Sequence, residues 1–274
     1  MLRGFYTAAS GMMANQRMQE MLSNNISNVE TPGYKQTQGS LRAFPELLLQ
    51  QMGSKTLPTS TAPVVPDQGE VGSLHTGVYL QETTPDFSQG ALKETGVSTD
   101  MALVAGELPD ENGAVLFQVE NSDGEARYTK NGSFTVDGEG FLTTNTGYRL
   151  LDESGNPINT GGQAFLVSKT GMLTTDNGST QLAVSYTPDA NGLVPEGSDL
   201  YVPGENAQPL GNALENEGVN FSVHQNYIER SNVDMNQTMT EMMNTYRSFE
   251  MNQRVLKAYD QSMQQAVSEI GRIR

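Results

Sequence analysis

Both ends of the chain repeat apolar side chains at alternating intervals of three and four. This pattern constrains the fold more than any other feature. From the N-terminus the series runs Met1, Phe5, Ala8, Met12, Asn15, Gln19, Leu22, Ile26 and Val29. Such spacing is the heptad seam of a helix that meets a partner helix, with polar interruptions at Asn15 and Gln19. At about 1.5 Å per residue the helix is roughly 40 Å long, and its apolar stripe is too narrow for the interior of a globule. It stops at Thr31-Pro32-Gly33, where Pro lacks an amide and Gly is free to turn. The far end repeats the series as Met239, Met242, Tyr246, Phe249, Gln253, Leu256, Asp260, Met263, Val267 and Ile270, with no Pro or Gly before Gly271. Ser231 with Asp234 three residues on has capping-box character and starts this helix nearby. Two seams at opposite termini predict that the ends meet.

Between them the chain changes character. LRAFPELLLQQM (Leu41 to Met52) reads as a short helix beginning at Pro45, and TLPTSTAPVVPDQGE as an extended linker. From Val71 onward, short β-branched and aromatic runs alternate with turn clusters. SFTV, FLTT and YRLL, separated by DGEG and NTG, read as a hairpin meander, and AFLVS, LAVSYT and DLYV continue it. The expected class is α+β: terminal helices paired as a coiled-coil-like domain, with an all-β domain of hairpins inserted between them. The expected boundaries are 1–35 for the first helix and turn, 36–70 for the short helix and linker, 71–224 for the β domain and 225–274 for the last helix.

Composition excludes several functions. The net charge of −16 leaves no basic stripe for nucleic acid. The absence of cysteine removes disulfides and thiolate metal sites, and two isolated histidines, His75 and His224, make a zinc site unlike any common ligand spacing. No apolar run approaches the ~20 residues that span a bilayer, so no membrane insertion is expected. The N-terminus lacks the continuous apolar core of a secretory signal. DGEG (Asp137 to Gly140) and PDENG (Pro109 to Gly113) depart from the calcium-loop spacing and read as turns. No nucleophile elbow, nucleotide loop or metalloprotease helix is present, so no catalytic residue, cofactor or metal is expected.

One stretch resists this reading: SNNISNVETPGYK, Ser23 to Lys35, crowds Asn and Ser into a helix end. It resembles the N-terminal signature of the flagellar basal-body rod and hook proteins, carried here by Asn24, Asn25, Asn28, Thr31, Gly33, Tyr34 and Lys35. FSQGALKETG (Phe87 to Gly96) is similar to the family's Q-G-x-L-x-x-T-G turn, and YTKNGSFTVDGEGFLTTNTGYRLL (Tyr128 to Leu151) to its Y-[ST]-[RK]-x-G-x-F hairpin. SNVDMNQTMTEMMNTYRSFEMNQRVLKAYDQSMQQAV resembles the family's C-terminal helix, with its R-x-[FY]-E-x-N core at Arg247, Phe249, Glu250 and Asn252. One departure is MALVAGELPDENGAVLFQV, which inserts acidic residues around Asp110 where relatives turn on a short Gly loop.

The resemblance implies a structural rod subunit, most like the distal-rod members, and not an enzyme. It implies a helical, tubular homo-oligomer, contact with other rod and hook proteins, and passage through the flagellar export apparatus without a cleaved signal, ending in the basal body. The Asn-rich run would hydrogen-bond end-of-helix carbonyls and neighbouring subunits. The expected subunit interface comprises Phe5, Ala8, Met12, Leu22, Asn24, Asn25, Ile26, Asn28, Val29, Gly33 and Tyr34. From the other terminus it adds Met239, Met242, Tyr246, Arg247, Phe249, Glu250, Asn252, Leu256, Met263 and Val267. A secreted adhesin or lectin on a helical stalk is the competing reading.

Overall fold

The computed structural model describes residues 2–56, 64–121, 123–176, 178–197, 199–204, 210–216 and 218–272. A 26-residue helix, α1 (Leu2–Ser27), and a 38-residue helix, α2 (Met235–Arg272), flank a β-rich middle, which makes the class α+β. The N-terminal helix ends at Ser27, two residues before the last expected seam position, Val29, and Gly33 turns at φ 70°. At the start of α2 the cap differs from the expectation. Asp234 is itself the cap, its Oδ1 accepting from the amides of Asn236 (2.8 Å) and Gln237 (3.1 Å), while Ser231 Oγ accepts from Val233 N one turn earlier. A carboxylate satisfies the orphan amides and sits at the positive end of the helix dipole, so it outcompetes the serine.

The short helix expected from Pro45 is absent. Leu47–Thr56 is a strand, paired antiparallel with Val64–Leu74 and bulged between Leu49 and Gln50. The extended linker is corrected with it: residues 64–70 belong to that second strand, and 57–63 lie outside the described residues. The apolar run LLLQQM carries no periodicity that separates helix from strand, and long-range pairing overrides its helix propensity.

The chain divides into two compact units. One comprises Met1–Ser23, Gly39–Thr83 and Met239–Arg274; the other comprises Asn24–Gln38 and Thr84–Thr238. The second unit is built on a nine-stranded antiparallel sheet. Seven strands form a path that runs Leu193–Gly197, Leu200–Pro203, Ala126–Thr129, Ala114–Glu120, Arg149–Leu150, Leu142–Thr144, Phe134–Val136, and Val184–Thr187 branches off it, paired with Ala114–Glu120 and with Gly211–Asn212. The meander of SFTV, FLTT and YRLL is there in register, Thr143 facing Thr135 on one side and Arg149 on the other. Ala114–Glu120 is covered on both faces. Val115, Phe117 and Val119 join the main core with Leu142, Leu150 and Val184, while Ala114 and Leu116 pack with Tyr128, Leu193 and Tyr201. A continuous apolar run suits such a strand, because alternate side chains enter two different cores. The acidic insertion is anchored here as well: Asp110 Oδ2 accepts from the Tyr186 hydroxyl at 2.7 Å, and burial followed by that carboxylate pushes the phenol up to about 12.

Candidate assembly elements: a buried hub and an exposed helix stripe

The Asn-rich segment does its work inside the second unit. Asn25 is fully buried, and its carboxamide acts as one rung of a strand, accepting from Thr37 N (2.9 Å) and donating to Thr37 O (2.8 Å). Asn232 repeats the device one residue away. Its Oδ1 accepts from Gln36 N (2.7 Å) and its Nδ2 donates to Asp86 O (2.8 Å). Tyr34 donates to Asn24 and Asn25 at 2.9 and 3.1 Å, and Asn28 donates back to Asn24 O at 3.0 Å. Side-chain amides with paired donors and acceptors satisfy backbone that leaves a helix before a ladder begins.

Beneath this collar lies an ion cluster. Lys35 Nζ stands 2.6 Å from Glu229 Oε1, with both side chains about 1% exposed. Lys35 also donates to Ser88 O (2.7 Å), and Gly90 N donates to the same Glu229 oxygen (2.8 Å). Lys130 Nζ lies 3.7 Å from the other Glu229 oxygen and donates to Leu103 O (2.8 Å) and Val115 O (3.3 Å). Two cations and one anion are thus sealed together. Burial, only partly offset by Glu229 and reinforced by Lys35, drives the Lys130 ammonium down to about 8. Gly33 closes the hub: its N–H donates to Glu229 O (2.8 Å), and a Cβ there would come 2.5 Å from the Lys130 carbonyl. The four signature segments meet at this one place.

In the first unit the structure redistributes the expected seam. Along α1 every described seam position is buried or half-buried, Ala8 and Leu22 most fully. Along α2 six of the ten expected positions are exposed: Met239, Tyr246, Gln253, Asp260, Val267 and Ile270. The covered stripe is Met242, Thr245, Phe249, Asn252, Leu256, Tyr259, Met263 and Ala266, one residue earlier at alternate steps. The reason is visible on α1. Gly11 admits Asn252, whose amide would lie 2.9 Å from a Cβ there, and Gly4 admits the Tyr259 hydroxyl, 2.1 Å from the equivalent atom. Large side chains on α2 thus alternate with small or polar ones set against glycine. An apolar count misses Thr and Asn in that role.

Among the remaining interface candidates, Phe5, Met12, Ile26, Asn28, Val29, Tyr34 and Glu250 are half-buried, and Asn24 and Arg247 are exposed. Asn25 and Gly33 are enclosed within the subunit, so their part is internal. Met239, Met243, Tyr246, Val267 and Ile270 are between 45% and 72% exposed and leave α2 with uncovered apolar patches towards its two ends. Lys130, Glu229, Asn232 and Tyr259 are not among the residues that the sequence singles out as interface candidates. Lys130 lies inside a quoted motif, but Glu229 has no local signal, its partner Lys35 being 194 residues away.

Comparison with known proteins follows the same landmarks. The description "Flagella basal body rod protein" matches residues 5–35, "Flagellar hook protein FlgE/F/G D1 domain" matches 112–194, and "Flagellar basal body rod FlgEFG protein C-terminal" matches 224–269. Lys35, Lys130 and Glu229 fall one in each. The chain is 44% identical over 280 residues to the flagellar hook-basal body complex protein FlhO of Bacillus subtilis, covering all of both chains. It is 30% identical over 274 residues to the flagellar basal-body rod protein FlgG of Buchnera aphidicola subsp. Schizaphis graminum, covering 96% of this chain and 98% of that one. With FlgG of Bacillus subtilis the identity is 28% over 281 residues.

Proposed function

The chain belongs to the flagellar basal-body rod and hook protein family, and from that premise we propose that it is a structural subunit of the bacterial flagellar rod rather than an enzyme. Likeness over the full length of a hook-basal body complex protein carries this reading. Its place is the basal body, among other rod and hook proteins. The subunit assembles with copies of itself into a helical tube, in the distal part of the rod, after passage through the flagellar export apparatus without a cleaved signal.

The terminal helices are the assembling elements. Within one subunit α1 and α2 pair in coiled-coil fashion, antiparallel, with Gly4 opposite Tyr259 and Gly11 opposite Asn252. Neighbouring subunits cover what this pairing leaves open, the patches at Met239, Met243 and Tyr246 and at Val267 and Ile270. Exposed apolar residues at helical spacing favour this, since a patch of that kind marks an interface. A deletion strain tests the proposal. It should not swim, the restored chain should bring swimming back, and purified basal bodies should carry the protein in the rod by gold-labelled electron microscopy. A swimming deletion strain with rods of normal length would refute it.

A further inference from the structure

Residues 221–232 follow the first 220 of the chain's 274 residues and fasten four separate parts of the second unit. Phe221–Gln225 pairs antiparallel with Met101–Ala105, and Tyr227–Glu229 with Leu92–Glu94. Neither Met101–Ala105 nor Leu92–Glu94 has a second strand partner among the described residues. The Gln225 carboxamide clips a third part, accepting from Val167 N (2.9 Å) and donating to Phe165 O (3.0 Å). The fourth is the turn after α1, held by Asn232 at Gln36 N and by the Glu229 carbonyl at Gly33 N. From the same run Val223 enters the main core. We infer that residues 221–232 are a closing strap latched by Glu229, and that the second unit stays open until this strap arrives.

The latch is electrostatic. Among the described carboxylates only Glu229 comes within ion-pair distance of Lys35 and Lys130. Closing the unit without the strap buries two ammonium groups with no anion. It also leaves residues 101–103, which are fully buried, with backbone groups that have lost their ladder. Both penalties oppose closure of a partial chain. An apolar cluster of the same shape would impose no such condition, since any part of it could pack before the rest. Both cations precede the strap in the chain, and the anion comes last. A chain delivered from its N-terminus, by synthesis or by threading through a channel, therefore cannot seal the cluster early.

Hydrogen exchange of the native full-length protein tests the latch, read by mass spectrometry on peptic fragments covering 114–120 and 221–229. If the strap never leaves a closed unit, both fragments open in one event, and their protection factors should agree within about threefold. A strap fragment protected about tenfold less than 114–120, or worse, overturns the inference, because the sheet then stays closed with the strap released. Glu229→Gln should lower the protection of both fragments together, by about a hundredfold or more. A loss confined to 221–229 overturns the latch as well. If that variant has no folded population, the wild-type comparison decides alone.

Discussion

At the scale of single residues, the buried cluster of Lys35, Lys130 and Glu229 decides most. Removing the carboxylate leaves two ammonium groups without an anion, and uncompensated buried charge costs about 3–5 kcal/mol. Glu229→Gln should lower the stability of the full chain by that order in urea unfolding, and a loss under 1 kcal/mol would mean that water reaches the site. Lys130 adds a pH dependence of unusual sign. Its folded value, about 8, lies below its ordinary 10.5, so the folded state holds the proton less tightly than the unfolded chain. The stability it contributes is fully present above 10.5 and is lost as pH falls through about 8. Unfolding free energy should therefore rise between pH 8 and 10, by on the order of a few kcal/mol. Lys130→Met should flatten that rise, and an unchanged slope in the variant would assign it to another group.

At the scale of elements, the Asp234 cap gives the plainest expectation. Asp234→Ala should cost about 1 kcal/mol, and Asp234→Asn should recover most of it, because either side chain accepts from the Asn236 and Gln237 amides. Equal losses in both variants, measured by thermal unfolding, would point to the charge and not the hydrogen bonds. What sequence makes legible divides along similar lines. Both terminal helices and the Phe134–Val136, Leu142–Thr144 hairpin were readable, since periodicity and Asp-Gly turn chemistry act over a few residues. The strand Leu47–Thr56 was not, because its partner Val64–Leu74 gives it a conformation that its own residues do not choose. The expected seam on α2 meets the covered stripe at Met242, Phe249, Leu256 and Met263 and misses Thr245, Asn252, Tyr259 and Ala266, where a strict three-four alternation selects the next residue instead. The hub was least legible: its motifs could be recognised, but their convergence on Glu229 is a property of the folded chain.

At the scale of the whole molecule, the proposed assembly gives the two faces of α2 different tasks, and substitutions can separate them. Phe249 is half-buried in the covered stripe, so under the proposed pairing of the terminal helices Phe249→Asp places a carboxylate in the subunit's own helix contact, at a cost of several kcal/mol unless it protonates or water enters. The isolated variant should lose helical circular dichroism and fail to restore swimming. Tyr246 is 60% exposed. Tyr246→Asp should leave the isolated chain with its full helical signal and unfolding midpoint, yet still block swimming, because the charge meets a neighbour only in the assembled rod. Glu139 is the control on the β-rich unit. Its pair with Arg149 is solvent-exposed, so Glu139→Lys should cost less than about 1 kcal/mol and swim as wild type does. Loss of folding and swimming together in the Tyr246 variant would place that residue inside the subunit. Wild-type swimming with Tyr246→Asp would leave the outer face with no neighbour to meet, since a rod repeats each contact in every subunit and multiplies its penalty along the assembly.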